Sequence, residues 1–421
     1  MKIYDLIGIG IGPFNLSLAA LLPDDSNVLF LDNKPEFSWH QELMFKDASM
    51  QTSYLKDLVT PVDPTNKYSF LNYLAENGQF YHFLNTDRKN VTRIEFEAYC
   101  RWASEKLGEK LRFNARVDQV KFENDLFVIE ASGGEKYLAK DICVASGPVK
   151  NIPECAKPFV GHEVFHAKSR ELQNLKVEGK RVLIVGGGQT GVEIFRNLFN
   201  NQRGRARSVS LISGRDNLRP LDEGPFTNEI FTPDFVSQFY YLDQGLKDQF
   251  TENLLLASDG NTPCYLQELY NELYLEKFYR SDAPECSIMP MRWLSDVKKI
   301  DGGYGLTLKN LLSQKNEGLQ ADIVILATGF RSELPKYLAP IEDLFCYDQK
   351  GRLEIEENYK LKTKLNHNNI FAMNFSRHGH GIADPQTSLM SWRSAIIANS
   401  IMQEDVYKVH APQTSFLNFF N

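Results

Sequence analysis

Three observations in the sequence predict an α/β chain built on two nucleotide-binding units. Val182 to Val185 is an apolar run ending in Gly186, Gly188 and Gly191, the spacing G-x-G-x-x-G, and Val192 to Phe199 continues with helical patterning. Ile3 to Ile9 leads in the same way through Gly8, Gly10 and Gly12 into Pro13 and the run Leu16 to Leu22. Asp141-Ile-Cys-Val-Ala-Ser-Gly147 and Asp322-Ile-Val-Ile-Leu-Ala-Thr-Gly329 share one form: acid, apolar run, small residue, hydroxyl, glycine. Strand, tight turn and helix in that order is the context a dinucleotide fingerprint requires. The predicted fold class is α/β, with two Rossmann-like dinucleotide-binding domains and a small, mostly helical substrate-binding insertion.

In the first unit, Pro13 stands at the third glycine position. A proline suits the first turn of a helix, where its missing N–H is not needed. Val28 to Leu31 reads as the next strand, and it ends in Asp32. An acid about twenty residues beyond the glycines commonly bonds a ribose hydroxyl, which points to FAD; a surface aspartate ending a strand is the alternative. In the second unit the corresponding strand, Ser208 to Ser213, is followed by Gly214 and Arg215 and has no acid at its end. A hydroxyl and a guanidinium suit a 2′-phosphate, so this unit is expected to take NADPH. Arg203, Arg205 and Arg207 add positive charge nearby, although a solvated basic turn accounts for them nearly as well.

Between the second glycine loop and the strand at Asp322, residues 216–280 depart from a plain Rossmann unit. They hold Pro220, Pro225, Pro233 and Pro263 with amphipathic pieces such as Tyr265 to Tyr279, and are expected to roof a substrate pocket. The expected division is an FAD domain over 1–168, an NADPH domain over 169–215, the insertion over 216–280, the NADPH domain again over 281–325, and the FAD domain resumed over 326–421. Thr328 and Gly329 then fall where the chain re-enters the FAD domain.

Composition narrows the class further. A chain of 421 residues with 43% hydrophobic content can bury a large core in two or three domains. The net charge of −7 argues against nonspecific nucleic-acid binding. No run reaches the roughly 18 apolar residues of a spanning helix, and Asp5 and the glycines break the N-terminal segment as a targeting signal. No membrane partner is expected. The cysteines Cys100, Cys143, Cys155, Cys264, Cys286 and Cys346 form no C-x-x-C pair and read as buried thiols in a reducing, cytoplasmic setting. His40, His166 and His380 lack ligand spacing, so no metal site is expected.

Several flavoenzyme classes share this architecture. Disulfide reductases carry a cysteine pair soon after the first loop, whereas residues 13–99 contain no cysteine. Phe159-Val-Gly161-His-Glu-Val-Phe-His166 only loosely echoes the F-x-G-x-x-x-H element of Baeyer–Villiger and flavin-containing monooxygenases. Ser38-Trp-His40, Met50-Gln-Thr-Ser-Tyr-Leu-Lys-Asp-Leu58, Val62-Asp-Pro-Thr65 and Tyr68-Ser-Phe-Leu-Asn-Tyr73 are more specific. So are Gly186-Gly-Gly-Gln-Thr-Gly191, Phe226-Thr-Asn-Glu-Ile-Phe231-Thr-Pro233, Ala327-Thr-Gly-Phe330 and His380-Gly-Ile-Ala-Asp-Pro-Gln-Thr-Ser-Leu-Met390. In this order, over nearly the whole chain, they resemble the siderophore-associated lysine/ornithine N-monooxygenases, most closely the lysine N6-hydroxylase branch.

The resemblance implies that FAD reduced by NADPH reacts with O₂ to a C4a-hydroperoxide, which hydroxylates a primary amine. The amine itself is the nucleophile, so positioning residues are expected in place of an acid–base set. It must be neutral, while a free alkylammonium has a pKa of about 10.4, so a desolvating pocket should lower it. By resemblance, Lys56 binds a substrate carboxylate with Asn228 as second donor, and Asp259 stands near the side-chain amine. Gln51 and Ser388 line the flavin and substrate region, with Leu389, Trp39 and His40 around the flavin and Gln189 and Thr190 on the nicotinamide nucleotide. Plainer readings stand beside these: Lys56 as a loop lysine paired with Asp57, Asn228 as a helix cap, Trp39 as packing, and the histidines as polar core residues. L-Lysine or L-ornithine is the expected substrate, with cadaverine, putrescine or histamine as the alternative. A non-hydroxylating NADPH oxidase or flavin-binding subunit is the reading from another class. Homo-oligomers, including tetramers, are implied by the family.

Overall fold

The computed structural model describes residues 1–409 and 415–417. Its first sheet is centred on Ile3–Ile9, which pairs in parallel with Val28–Leu31 on one side and Lys136–Val144 on the other. Leu111–Arg112 extends the first edge, and Ile370–Ala372 returns near the end of the chain to lie parallel to Lys136–Val144. Val117–Glu123 and Leu126–Ala131 complete this sheet as an antiparallel pair. The second sheet has five parallel strands in the order Val164–His166, Ile323–Leu326, Arg181–Val185, Ser208–Ser213, Glu285–Pro290. Such strands are covered on both faces, which is why Val182 to Val185 and Ile323 to Leu326 are apolar without alternation, and all are buried. Arg292–Ile300, Gly303–Asn310 and Asn316–Ala321 form a separate antiparallel sheet.

Both glycine turns feed helices. Pro13 opens Pro13–Leu21 behind an extended Gly12. The second helix, Gln189–Phe199, starts three residues ahead of the Val192 read from sequence, because Gln189 and Thr190 already belong to its first turn. Gly186 is fixed by two constraints. Its φ of +125° is closed to ordinary side chains, and a Cβ there would lie 2.1 Å from the carbonyl oxygen of Ala327.

The crossing between sheets comes earlier than residue 168: Val164, Phe165 and His166 register with Val324, Ile325 and Leu326 in the second sheet. The segment 216–280 is helical, with Pro233–Tyr240, Gln244–Asn253 and Pro263–Tyr279 as its longer helices. It does not build a core of its own. Ile230, Phe231, Phe235, Val236 and Phe239 join the core around Pro13–Leu21, whereas Tyr265 and Leu269 join that of the second sheet.

Pro263–Tyr279 is also not amphipathic in the expected sense. Opposite its buried face it exposes Tyr270, Tyr274 and Phe278, so it is apolar on two sides. All six thiols are free; Cys100 and Cys143 are buried as expected, but Cys264 is exposed because it faces outward in the first turn of this helix. Among the described residues no helix is long and apolar enough to cross a membrane.

Candidate active site

The carboxyl edges of the two sheets carry the glycine loops, where open α/β sheets bind their ligands. At Gly12 and at Gly188 nothing lies within 4 Å of where a Cβ would project, so each helix N-terminus has open space before it. Free N–H groups and the helix dipole make such a cradle suitable for a diphosphate. Ser388 is buried and its Oγ has no partner, and Leu389 beside it is buried too. An orphaned hydroxyl and two open cradles fit two bound dinucleotides.

Asp32 ends its strand as read from sequence. Its carboxylate accepts from the backbone N–H of Ile11 at 2.6 Å and of Lys34 at 2.9 Å, which holds the first glycine loop. Ser213 is buried against the second loop and accepts from the Arg215 N–H at 3.1 Å. The Arg215 guanidinium donates to the Asp259 carbonyl at 2.8 Å. Arg203 and Arg205 are tied to Asn197, Gln173, Glu178 and Ser281. Thr328 donates its hydroxyl to the Asn151 carbonyl, and the Gly329 carbonyl receives His166 Nε2 at 2.9 Å.

Lys56 is half-buried and makes no ion pair or hydrogen bond through its ammonium among the described residues. Burial lowers its pKa. It shares a narrow cavity with Met50, Tyr54, Phe70, Phe96 and Tyr99. Asp57 is not its partner: that carboxylate is filled by the N–H groups of Val59, Thr60 and Phe70 and the Thr60 hydroxyl. Asn228 is exposed; it ends the short helix Pro225–Asn228 and stands at the N-cap of the 3-10 turn Glu229–Phe231, where its side chain makes no capping hydrogen bond. Asp259 is engaged, its Oδ2 lying 2.9 Å from Arg377. No hydrogen bond joins Asn228 or Asp259 to Lys56 among the described residues.

Other expected residues do meet. The strand Ser49–Ser53, which carries Gln51, packs against the turn Thr387–Leu389. Gln51 Nε2 reaches Thr262 Oγ1 at 3.5 Å, the Thr262 N–H donates to Gln189 Oε1 at 2.8 Å, and Gln189 Nε2 donates to Glu193 at 3.0 Å. Thr190 carries no side-chain hydrogen bond among the described residues. Trp39 stands edge-on to Phe96 and His40. Burial, reinforced by Lys168 and Arg93, holds His40 well below the usual histidine range.

His166 and His380 are structural. The Lys168 N–H donates to His166 Nδ1, while His380 stacks on Tyr359 at 4.2 Å and bonds Ser376 and the Glu357 carbonyl.

Asn261 and Thr262 were not singled out from sequence. Asn261 is fully buried and donates to the Gly187 carbonyl at 3.0 Å, so the helical segment grips the second glycine loop directly. The only local signal was Thr262-Pro263 as a helix start, which says nothing of the loop it touches.

Two open glycine-loop cradles, one on each of two separate sheets, define a two-dinucleotide flavoprotein architecture. The L-lysine 6-monooxygenase/L-ornithine 5-monooxygenase family model matches residues 2–332, and the chain belongs to that family. The L-lysine N6-monooxygenase of Escherichia coli is 38% identical over 416 residues, covering 98% of this chain and 97% of that protein. The FAD-bound cadaverine monooxygenase of the Erwinia amylovora desferrioxamine pathway superposes with a TM-score of 0.91 at 27% identity, covering 100% and 99% of the two chains. The Kutzneria sp. 744 ornithine N-hydroxylase, solved with reduced FAD, NADP⁺ and L-ornithine, gives 0.89 at 26% identity over 96% and 99%. The protein is a flavin-dependent amine N-monooxygenase of the NAD(P)H- and FAD-dependent, siderophore-associated class.

Proposed function

We propose that the amine is that of a free amino acid, L-lysine at N6 or L-ornithine at N5, with Lys56 as the carboxylate anchor. The observation that carries this reading is the unpaired, half-buried Lys56 ammonium, whose sequence neighbour Asp57 is fully engaged elsewhere. A desolvated cation needs an anion, and an α-carboxylate supplies one. Bound FAD, reduced by NADPH, supplies activated oxygen from O₂. The chain's part is placement. Met50, Tyr54, Phe70 and Phe96 exclude water beside Lys56, and that low-dielectric wall favours the neutral amine. Gln51 and Ser388 border the flavin side; Asn228 becomes a second carboxylate donor only if the segment it sits on moves inward. Asp32 is assigned to the FAD ribose, and Ser213 with Arg215 to the NADPH 2′-phosphate. The likeness to the cadaverine enzyme supports a second reading, a decarboxylated diamine.

Hydroxylamine formation, measured with lysine, ornithine, cadaverine, putrescine and histamine, separates the two. Product from an amino acid, with a KM raised about tenfold or more in Lys56→Met, is the expected result. Product from diamines alone would reassign Lys56.

A further inference from the structure

Several cationic side chains gather where the two dinucleotide folds face each other, and one of them is unpaired. Lys168 follows the strand Val164–His166 at the carboxyl edge of the second sheet, the edge from which Gly186 and Gly329 also emerge. Its ammonium lies 5.8 Å from the centre of the Phe330 ring. It is half-buried and makes no ion pair among the described residues. Burial lowers its pKa, and the repulsion of Lys34, Lys150 and Arg93 adds to this against the attraction of Glu42.

The neighbouring cations already have partners. Lys34 Nζ donates to the carbonyls of Ile11 and Ser38 at 3.1 and 2.9 Å, which sets its charge against the first glycine loop. Lys150 donates to Ser169 Oγ at 2.9 Å, and Arg93 is paired with Glu193. Across the seam His40 is held at a φ of +52°, with a buried Nδ1 that has no partner. The turn Gln41–Leu43 that follows His40 packs against the turn Arg170–Leu172 just beyond Lys168, and Lys168 is among the charges acting on His40, so one unmatched polar group from each fold lies at this electropositive contact. A partly desolvated ammonium among like charges is stabilised by an anion, and dinucleotides are the anions this edge is built for.

We propose that Lys168 binds the diphosphate of a dinucleotide cofactor across the seam between the two folds, with His40 as the facing polar group. The lysine then acts as a charge supplied by the second fold, separate from the glycine loops.

The test uses full-length, FAD-loaded protein with Lys168→Met and Lys168→Arg. One arm reads release of fluorescent FAD on dilution; the other reads NADP⁺ binding from the change in the flavin absorption spectrum. Each is run at low and high salt. Lys168→Met should weaken one dinucleotide about tenfold and flatten its salt dependence, while Lys168→Arg stays within about threefold of the parent. The arm that moves identifies which diphosphate is held. Both constants within about twofold in Lys168→Met would overturn the proposal, as would equal losses in the methionine and arginine variants. A lowered melting temperature with unaltered constants would mark Lys168 as structural and overturn it too.

Discussion

Arg93 and Glu193 join the two nucleotide-binding halves through a bidentate pair, with Nη2 to Oε1 at 3.0 Å and Nη1 to Oε2 at 3.1 Å. Glu193 is fully buried on the helix that leaves the second glycine loop, and Arg93 begins a helix of the first domain. Breaking a buried pair strands one charge. Arg93→Met should therefore lower unfolding stability by about 3–5 kcal/mol, whereas the double change Arg93→Met with Glu193→Leu should lose much less. Urea unfolding of the three proteins checks this, and a double variant as unstable as the single one would refute it.

Gly186→Ala and Gly12→Ala should fail in different ways. The first places a methyl group 2.1 Å from a backbone oxygen at positive φ and should reduce folded yield and melting temperature. The second meets no protein atom within 4 Å, so the chain should fold normally yet hold FAD weakly. Melting curves of cofactor-free protein, set beside flavin content as purified, distinguish the two outcomes.

Arg215 tests the nicotinamide assignment. If its guanidinium leaves the Asp259 carbonyl to meet a 2′-phosphate, Arg215→Ala raises the KM for NADPH about tenfold or more while that for NADH barely changes. Equal changes for both nucleotides would leave Arg215 as a brace for the helical segment.

Stability should fall on mild acidification. Burial depresses His380 to about 3 in the folded protein, against about 6.5 when unfolded. The folded state favours the neutral ring, so its contribution is complete above about pH 6.5 and declines as pH drops toward 3. By pH 5 the loss from His380 alone is about 2 kcal/mol. His40, His166 and His378 shift in the same direction, while buried Asp384 shifts upward and opposes them at lower pH. Denaturant midpoints for His380→Gln should depend less on pH between 7.5 and 5 than those of the parent; an unchanged slope would exclude this histidine.

Both glycine turns, their strands and the returning strands at Asp141 and Asp322 were legible in sequence because local pattern and backbone geometry coincide there. Ser208 to Ser213 matched to the residue. What escaped was long-range. Nothing near Asp259 announces Arg377, and nothing near Asn261 announces Gly187, because those partners lie 118 and 74 residues away. The two-sided helix Pro263–Tyr279 was misread as amphipathic because tyrosine can serve either a core or a surface. Lys56 was legible through its motif, but that Asp57 leaves it unpaired required coordinates.

The grip of Asn261 on Gly187, and of Thr262 on Gln189, bears on how substrate range could be re-engineered. Transplanting residues 216–280 from a relative with a different amine preference would also replace the residues that hold the second glycine loop. Such a chimaera should lose reductive turnover before it gains a new substrate, unless both residues and their bonds travel with the graft. Point changes in the wall around Lys56 leave that grip untouched and are the more direct route if Lys56 anchors the substrate as proposed.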